Sequence, residues 1–165
     1  MRLLLFDLRP PILDEEGVGA AIRYVLQQWK TDVAFDVNDE LGLTVPSQTR
    51  AIFFRIAHEA LSNARKHAQA THLGVDLEAK RGGYLLRIAD NGVGFDPAEV
   101  AAINPGHLGL VAMRERAEMA GGKIDLYSLP GSGTVLEVWM PAPATALEPV
   151  ADVADLLPVP LDRTA

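Results

Sequence analysis

The stretch from His58 to His67 combines side chains that could bind a metal ion together with a phosphate chain. On a helix, residues spaced at i, i+4, i+7 and i+8 fall on one narrow stripe, and here these are Glu59, Asn63, Lys66 and His67. They offer oxygen ligands for a metal, positive charge for phosphates and a carboxylate able to orient an attacking group. A solvated polar edge of a core helix has the same pattern, since polar faces are the rule on amphipathic helices. Motifs further along the chain favour the functional interpretation.

The stripe requires a long helix, and the apolar spacing predicts one from about Ser47 to Ala68. Its apolar residues share one face at 100° per residue. They are Phe53, Ala57, Ala60, Leu61 and Ala64. We therefore expect this face to pack on a core while the polar stripe borders a site.

A second motif is Asp90-Asn91-Gly92-Val93-Gly94-Phe95, which follows a predicted strand. Asn-Gly after a strand ordinarily forms a hairpin turn. Here the next residues predict a helix instead, so Gly92 and Gly94 indicate backbone clearance for something that lies close. Asp90 would place a carboxylate at the mouth of that clearance, where it could accept from the exocyclic amine of adenine but would repel guanine.

Two further glycine motifs are weaker on their own. Gly106-His107-Leu108-Gly109-Leu110 leads into a helix, whose free N–H groups would suit phosphate, although a loop histidine is more often simply exposed. Gly131-Ser132-Gly133-Thr134 is most simply a hairpin connection, with Thr134 as a candidate ligand contact. The chain has no Walker phosphate loop.

Composition limits the other possibilities. The chain has 165 residues, of which 48% are hydrophobic and 22% are charged, as expected for a single globular domain. A net charge of −7 argues against a general nucleic-acid or anionic-membrane surface. The absence of cysteine excludes disulfides and thiolate chemistry, and the four histidines show no metal-ligand spacing. The short apolar start is too brief for a signal peptide or membrane span, which predicts a cytosolic chain.

The remaining elements are predicted from periodicity and turn signals. Asp14 is a candidate N-cap for a helix from about Glu15 to Lys30. Strands are predicted at Asp32 to Val37, His72 to Ala79, Tyr84 to Ala89, Lys123 to Leu129 and Val135 to Met140. Short helices are predicted from Asp96 to Asn104-Pro105-Gly106 and from Leu108 to Ala120, where Gly121-Gly122 form the cap.

Taken in order, the four motifs resemble the catalytic, ATP-binding domain of bacterial sensor histidine kinases, in the subgroup of nitrate and lipid-fluidity sensors. The resemblance covers about Leu8 to Pro141. It implies an α/β (α+β) fold, a two-layer sandwich with a mixed sheet of about five strands under three helices, the Bergerat-type ATP-binding fold. It divides the chain into the end of a dimerisation helix and linker (1–13), the catalytic domain (14–141) and a flexible tail rich in proline and alanine (142–165).

The resemblance also implies roles for individual residues. Asn63 would bind Mg²⁺, and Glu59 would orient or activate the attacking histidine. Asp90 would read the adenine amine, Gly92 and Gly94 would clear the purine, and Thr134 would support adenine, through water or directly. The other expected nucleotide contacts are Lys66, His67, Phe95, Gly106, His107, Leu108, Gly109 and Leu110. Residues 96–106 would form a mobile lid.

The expected cofactors are ATP and Mg²⁺, and the expected reaction is transfer of the γ-phosphoryl group to a histidine. The pair His58-Glu59 superficially resembles an acceptor site, but it lies within the nucleotide motif, so we expect the acceptor on separate dimerisation helices absent from this chain. A response regulator and a homodimeric parent kinase are the implied partners, with no nucleic acid and no membrane contact by this domain.

Two alternatives share the implied nucleotide fold. One is a free-standing serine kinase of the anti-sigma type. The other is a nucleotide-gated interaction ATPase, against which the short lid and the lack of an N-terminal swap arm count.

Overall fold

The structure is a computed structural model that describes residues 9–103 and 108–144, with the backbone alone described at 101–103 and at 108. The described residues form five α-helices. These are α1 (Pro11–Glu15), α2 (Val18–Gln28), α3 (Ser47–Asn63), α4 (Pro97–Ile103) and α5 (Leu108–Met119). A short 3₁₀ turn, Gly42–Thr44, precedes α3, and a π-helical turn, Ala64–Ala68, continues it.

Five strands form one mixed sheet. They are β1 (Ala34–Asp39), β2 (His72–Lys80), β3 (Gly83–Asp90), β4 (Lys123–Ser128) and β5 (Thr134–Pro141). The order across the sheet is β1-β2-β3-β5-β4. Only β1 and β2 are parallel, because α3 connects them, whereas the other neighbours are antiparallel. The expected five-stranded mixed sheet is confirmed, as is the β2–β3 hairpin.

The core lies between the helices and one face of the sheet. From α3, Phe53, Phe54, Ile56, Ala57 and Leu61 are buried, as the apolar spacing predicted for three of them. Alternate residues of the central strands face this layer, and the buried ones include Val75, Leu77, Leu86, Ile88 and Val138. The helices α2 and α5 complete the layer through Ile22, Leu26, Met113 and Ala117. This packing is a two-layer α/β sandwich.

The start of α2 differs from the prediction. Asp14 is not an N-cap but lies inside α1, where its carboxylate accepts two hydrogen bonds from Arg9, at 3.0 and 2.7 Å. This guanidinium holds the pKa of Asp14 below its ordinary value. The helix α2 begins after Gly17, whose φ of +99° suits glycine and whose missing side chain admits the carbonyl of Gly42. The sequence alone could not show that the turn containing Gly42 approaches Gly17.

The start of α4 and the end of α5 agree with the capping signals in the sequence. Asp96 accepts from the N–H of Ala98 at 2.8 Å, as expected of a residue just before α4. The N–H of Gly122 returns to the carbonyl of Ala117 at 2.8 Å after α5, as expected of a glycine cap. None of the described helices combines the length and apolar character that are required to cross a bilayer. The expected tail beyond Ala144, like the expected lid residues Asn104 to Gly106, falls outside the described residues.

Candidate nucleotide site

Three polar side chains form a row across the sheet. In the strand register Asp90 of β3 lies opposite Thr134 of β5, and Thr134 lies opposite Ser128 of β4. Asp90 continues the alternation of the buried residues Leu86 and Ile88, so the row faces the helical layer. A carboxylate and two hydroxyl groups therefore lie side by side at the end of three antiparallel strands.

Ser128 connects this row to the loop that follows β3. Its buried Oγ accepts the N–H of Phe95 at 2.9 Å and lies 2.9 Å from Oγ1 of Thr134. It also lies 3.0 Å from the carbonyl oxygen of Gly133, to which it can donate. Ser128 is not among the residues that the sequence motifs predicted for the site. The signal was available, because alternation after Ile124 and Leu126 places a polar residue at a core-facing position.

A cavity of about 330 Å³ lies over the end of the row that holds Asp90 and Thr134. Its size is at the lower end of the range of small-molecule sites, and its walls are mainly apolar. The helical residues around it are Ala60, Asn63, Ala64, His67, Ala68, Val100, Leu110 and Met113. The sheet and loop contribute Ile88, Asp90, Gly94, Phe95, Leu126, Thr134 and Leu136. A few polar groups thus converge on an apolar pocket that could hold a flat base.

The four side chains of the predicted polar stripe do not all line the cavity. Asn63 and His67 line the cavity, whereas Lys66 is exposed outside its lining. Glu59 faces the first turn of α5, because a β-carbon built on Gly109 would lie 2.6 Å from its Oε1. The same position would lie 3.6 Å from Nδ2 of Asn63. Glu59 and Asn63 therefore border the N-terminus of α5, and the positive end of a helix dipole suits an anion.

The π-helical turn explains why the stripe does not continue along the helix. Residues 64–68 follow i→i+5 geometry, so Lys66 and His67 depart from the 100° spacing assumed for an α-helix. Gln69 then ends the helix in the left-handed conformation with φ of +50°. Such turns are frequent at functional sites, and this one brings the His67 side chain to the cavity.

The two glycines of the second motif give room to the chain's own backbone. A β-carbon on Gly92 would overlap the carbonyl oxygen of Ala68, and one on Gly94 would overlap that of Leu129. Gly94 also has φ of +60°, a conformation that disfavours other residues. Gly94 lines the cavity and Gly92 does not. The expected clearance of a purine by these glycines stays a prediction, beside a packing role that the contacts show.

Asn91 does not form a hairpin turn. Its Oδ1 accepts from the N–H groups of Thr71 and His72 at 2.9 Å each, and its Nδ2 donates to Oγ1 of Thr71 at 2.9 Å. Asp90 in turn accepts from the N–H of Gly92 at 2.8 Å through Oδ1. These bonds fix the loop against the start of β2, so that Asp90 is held in place beside the cavity.

Two of the remaining predicted contacts lie at the cavity. Phe95 and Leu110 line the cavity, and Val100 of α4 joins them from the expected lid. Gly106 and His107 lie outside the described residues, and the side chain of Leu108 is likewise not described. Among the described residues, no group of three or more histidines and carboxylates is placed to hold a metal ion.

Comparison with known proteins agrees with this geometry. The family model described as the histidine kinase-, DNA gyrase B- and HSP90-like ATPase matches residues 48–144. These residues include all but the first residue of α3, the lining of the cavity, and strands β2 to β5.

The chain also resembles individual proteins. It is 31% identical over 144 residues to the signal transduction histidine-protein kinase/phosphatase DegS of Brevibacillus brevis, covering 86% of this chain and 36% of DegS. It is 38% identical over 142 residues to the sensor protein VraS of Staphylococcus aureus strain COL, covering 86% of this chain and 40% of VraS. The chain thus spans less than half the length of these relatives.

A solved structure shows the same fold. The histidine kinase domain of the blue-light activated histidine kinase of Erythrobacter litoralis EL346 superimposes with a TM-score of 0.62 at 19% sequence identity. The match covers 75% of this chain and 60% of that domain. The expected Bergerat-type architecture is thereby confirmed.

Proposed function

Because the chain belongs to the histidine kinase-, DNA gyrase B- and HSP90-like ATPase family, we propose that it is the catalytic domain of a sensor histidine kinase. In this proposal it binds ATP in the cavity over Asp90 and transfers the γ-phosphoryl group to a histidine on a separate helical domain. The observation that carries the proposal is the pairing of Asp90 with Thr134 beneath an apolar pocket that Asn63 also lines. That arrangement supplies base recognition at one side and a metal ligand at another.

Adenine would occupy the apolar part of the cavity. Ala60, Ile88 and Leu136 provide walls for the faces and edges of a purine. The carboxylate of Asp90 would accept a hydrogen bond from the exocyclic amine, and a hydrogen bond to a charged acceptor discriminates strongly when the site excludes water. A purine with a carbonyl oxygen at that position would face the same carboxylate and bind less well.

The phosphate chain would run toward the N-terminus of α5. The N–H groups of Gly109 and Leu110 belong to the first turn of that helix, which has no intrahelical acceptors for them. The positive end of the helix dipole lies at the same place. Lys66, His67 and His107 are further proposed phosphate contacts, of which His67 lines the cavity.

The residues at this end fit a magnesium ion held jointly with phosphates. Mg²⁺ is typically bound in such sites through one or two protein oxygens, with phosphate and water oxygens completing its shell. Asn63 supplies an amide oxygen at the cavity, next to the start of α5. When bound, the ion would neutralise charge on the phosphates during transfer.

Glu59 would act on the incoming acceptor. Its carboxylate lies beside Gly109, at the expected phosphate end of the site. There it could accept a hydrogen bond from one imidazole N–H and leave the other ring nitrogen free to attack. The new N–P bond then forms as the bond between the γ-phosphorus and its bridging oxygen breaks, and ADP leaves.

The wider assignment rests on the relatives. DegS is named as a signal transduction histidine-protein kinase and VraS as a sensor protein. We therefore propose that the parent protein dimerises, that residues 1–13 join the acceptor helices to a catalytic domain of residues 14–141, and that a response regulator receives the phosphoryl group. A cytoplasmic location belongs to the same proposal. The anti-sigma serine kinase and the interaction ATPase are not favoured by these relatives.

Titration calorimetry with ATP and GTP, each with and without Mg²⁺, tests the nucleotide site. We expect the chain to prefer ATP and to bind it more tightly with Mg²⁺. Equal affinity for ATP and GTP would contradict the role of Asp90.

A second experiment tests the reaction. The chain is incubated with γ-labelled ATP and a dimerisation-helix fragment, or with a serine-bearing antagonist protein instead. Label on the helix fragment that is lost in acid and retained in base identifies phosphohistidine. Acid-stable label on the antagonist would contradict the proposal and favour the serine kinase.

A further inference from the structure

A groove of about 280 Å³ lies on the face of the sheet away from the helices. Leu85 of β3 and Trp139 of β5 line it and lie opposite each other in the strand register. Their neighbours Leu86 and Val138 are buried against the helical layer, so strand alternation turns Leu85 and Trp139 to the other side. The groove is therefore separate from the nucleotide cavity.

The indole of Trp139 is held in place by the turn between β2 and β3. Its Nε1–H donates to the carbonyl oxygen of Lys80 at 2.8 Å. A β-carbon built on Gly83 would lie 2.7 Å from Cε2 and Cζ2 of the ring, so the ring lies over this glycine. Because the N–H is already satisfied, the rest of the ring offers apolar surface to the groove.

The groove has a basic rim. Three cationic side chains, those of Lys80, Arg81 and Lys123, line it together with two carboxylates. Lys80 and Lys123 lie 3.1 and 2.9 Å from the carboxylates of Glu78 and Asp125 on their own strands. Both pairs are solvent-exposed and such pairs are weak, so these cations can also attract another carboxylate. The groove thus suits an apolar segment that carries negative charge.

The chain leaves the sheet beside this groove. Pro141, the last residue of β5, pairs with Gly83, and the N–H of Ala142 donates to the carbonyl oxygen of Gly82 at 3.3 Å. The end of β5 therefore lies next to the turn that supplies Lys80 and Arg81 to the rim. Residues 145–165, which lie outside the described residues, follow directly in the sequence.

The composition of residues 145–165 complements the groove. They include seven leucines and valines, four carboxylates and a single arginine. Segments that stay solvated are typically poor in large aliphatic residues, so this content predicts contact with an apolar surface. The adjacent pair Leu156-Leu157 is the most apolar point, and Asp152 and Asp155 precede it closely.

We propose that residues 145–165 dock in this groove of the same chain. Leu156 and Leu157 are the apolar anchor on the side of Trp139 and Leu85, and the nearby carboxylates face the basic rim. The short connection to β5 makes docking intramolecular, with an effective concentration in the millimolar range, so modest contacts suffice. The inference does not rest on nucleotide binding, because the groove and the cavity lie on opposite faces of the sheet.

The test measures the distance between the tail and the groove in the full-length chain. The chain has no cysteine, so Ala154→Cys provides a single site for a nitroxide label. The label broadens nearby signals in the nitrogen-15 NMR spectrum, where Trp139 reports on the groove. Trp29 is the internal control, because it ends α2, which contacts β1 at the other edge of the sheet from β4. We expect the indole signal of Trp139 to lose most of its intensity and that of Trp29 to keep it.

A tail variant separates docking from mere tethering near the groove. Leu156→Ser combined with Leu157→Ser removes the anchor without changing a described residue, and the Trp139 signal should recover severalfold. Ala146→Ser combined with Ala151→Ser is the matched control, since it adds the same side chains and keeps both leucines. Equal broadening of Trp139 with and without the leucine pair would overturn the inference.

A charge reversal tests the basic rim. Arg81→Glu should also restore part of the Trp139 signal, because it places a carboxylate where the tail brings its own. Lys30→Glu makes the same type of change at an exposed cation beside Trp29, and it should leave the broadening unchanged. If both reversals had the same effect, the assigned charge complementarity would be wrong.

A mixing experiment identifies the chain that supplies the tail. Nitroxide-labelled chain without nitrogen-15 is mixed with unlabelled nitrogen-15 chain. We expect no broadening of Trp139 in this mixture, whereas broadening there would assign the groove to the tail of a second copy and overturn docking within one chain. Failure of the chain to bind ATP by calorimetry would contradict the proposed function and leave these signals unchanged.

Discussion

Gly109 lies against Glu59 so closely that a β-carbon on the glycine would be 2.6 Å from Oε1 of the carboxylate. The first turn of α5 and the polar stripe of α3 therefore meet without an intervening side chain. In the proposed function this is where the γ-phosphate and the acceptor histidine would lie. A single methyl group added at Gly109 would therefore change the separation of the two residues.

Gly109→Ala should separate phosphate binding from base binding. The added methyl group must displace the Glu59 carboxylate, while alanine strengthens the helix that contains it. We expect affinity for ATP to fall by roughly tenfold and affinity for adenosine by less than about twofold, measured by calorimetry. Phosphoryl transfer should fall further, because Glu59 would be misplaced.

The control for Gly109→Ala is Gly74→Ala on β2. A β-carbon on Gly74 would have no neighbour within 4 Å, so the same chemical change there should leave both affinities unchanged. Equal losses of ATP and adenosine affinity in Gly109→Ala would contradict the phosphate role of this helix turn.

Asp90→Asn should weaken ATP binding while the domain stays folded. The amide retains an oxygen that can accept the N–H of Gly92, so the loop keeps its hydrogen bond. The charge that recognises the amine is lost, and we expect affinity to fall by about 10- to 100-fold, the range for a hydrogen bond to a charged group. Calorimetry gives the affinity, and a thermal unfolding curve close to that of the wild type shows that the fold remains. Wild-type affinity in this variant would remove the assignment of Asp90.

Asn63→Ala should abolish the gain in ATP affinity that Mg²⁺ provides. Asn63 lines the cavity and is the proposed protein ligand of the ion. We expect ATP affinity without Mg²⁺ to change little, and affinity with Mg²⁺ to fall by roughly tenfold. Ser62→Ala, one residue earlier and outside the cavity lining, serves as the matched control. A Mg²⁺ dependence equal to that of the wild type would contradict the ligand role.

Much of the fold could be predicted because its elements are each buried on one face. Phe53, Ala57 and Leu61 are buried along α3 at the spacing of a helix, and β2 alternates buried with partly exposed residues at the spacing of a strand. Such periodic patterns are local, so a single sequence contains them. The site motifs could be placed for the same reason, since Asp90 ends one strand and Thr134 begins another, and the pattern locates both strands.

The missed features depend on contacts between distant residues. The carbonyl of Gly42 approaches Gly17, which lies just before α2. Ser128 binds the backbone of Phe95, 33 residues away. A residue's type shows that it can form such bonds, but its partner is chosen by the tertiary fold.

Asn91→Ala should destabilise the domain. The side chain makes three hydrogen bonds that join the loop after β3 to Thr71 and His72 at the start of β2. Because the site is exposed, water can replace part of them, and we expect a loss of about 1–2 kcal/mol in the free energy of unfolding by urea. Asn38→Ala on the edge strand β1 should change it by less than about 0.5 kcal/mol. Equal effects of the two substitutions would contradict the role given to Asn91.

Arg9→Gln should change how stability depends on pH. Arg9 lowers the pKa of Asp14 from its ordinary 3.8, chiefly through their hydrogen bonds. The ionised carboxylate is therefore favoured by folding, so this contribution to stability is present above the unfolded pKa and is lost as pH falls through the lower, folded pKa. In the variant the pKa of Asp14 should rise toward 3.8, which a carbon-13 titration of the carboxyl group by NMR would measure.

The unfolding free energies provide an independent check on the Arg9–Asp14 pair. The wild type should exceed Arg9→Gln near neutral pH, and the difference should shrink as the solution is acidified below 3.8. Both groups are exposed, so added salt should also reduce the difference. Arg81→Gln is a suitable control, because Arg81 is an exposed arginine in the β2–β3 turn. If the stability difference stayed constant across the acid range, Asp14 could not be its source, and the contact between Arg9 and Ser47 at 2.6 Å would account for it instead.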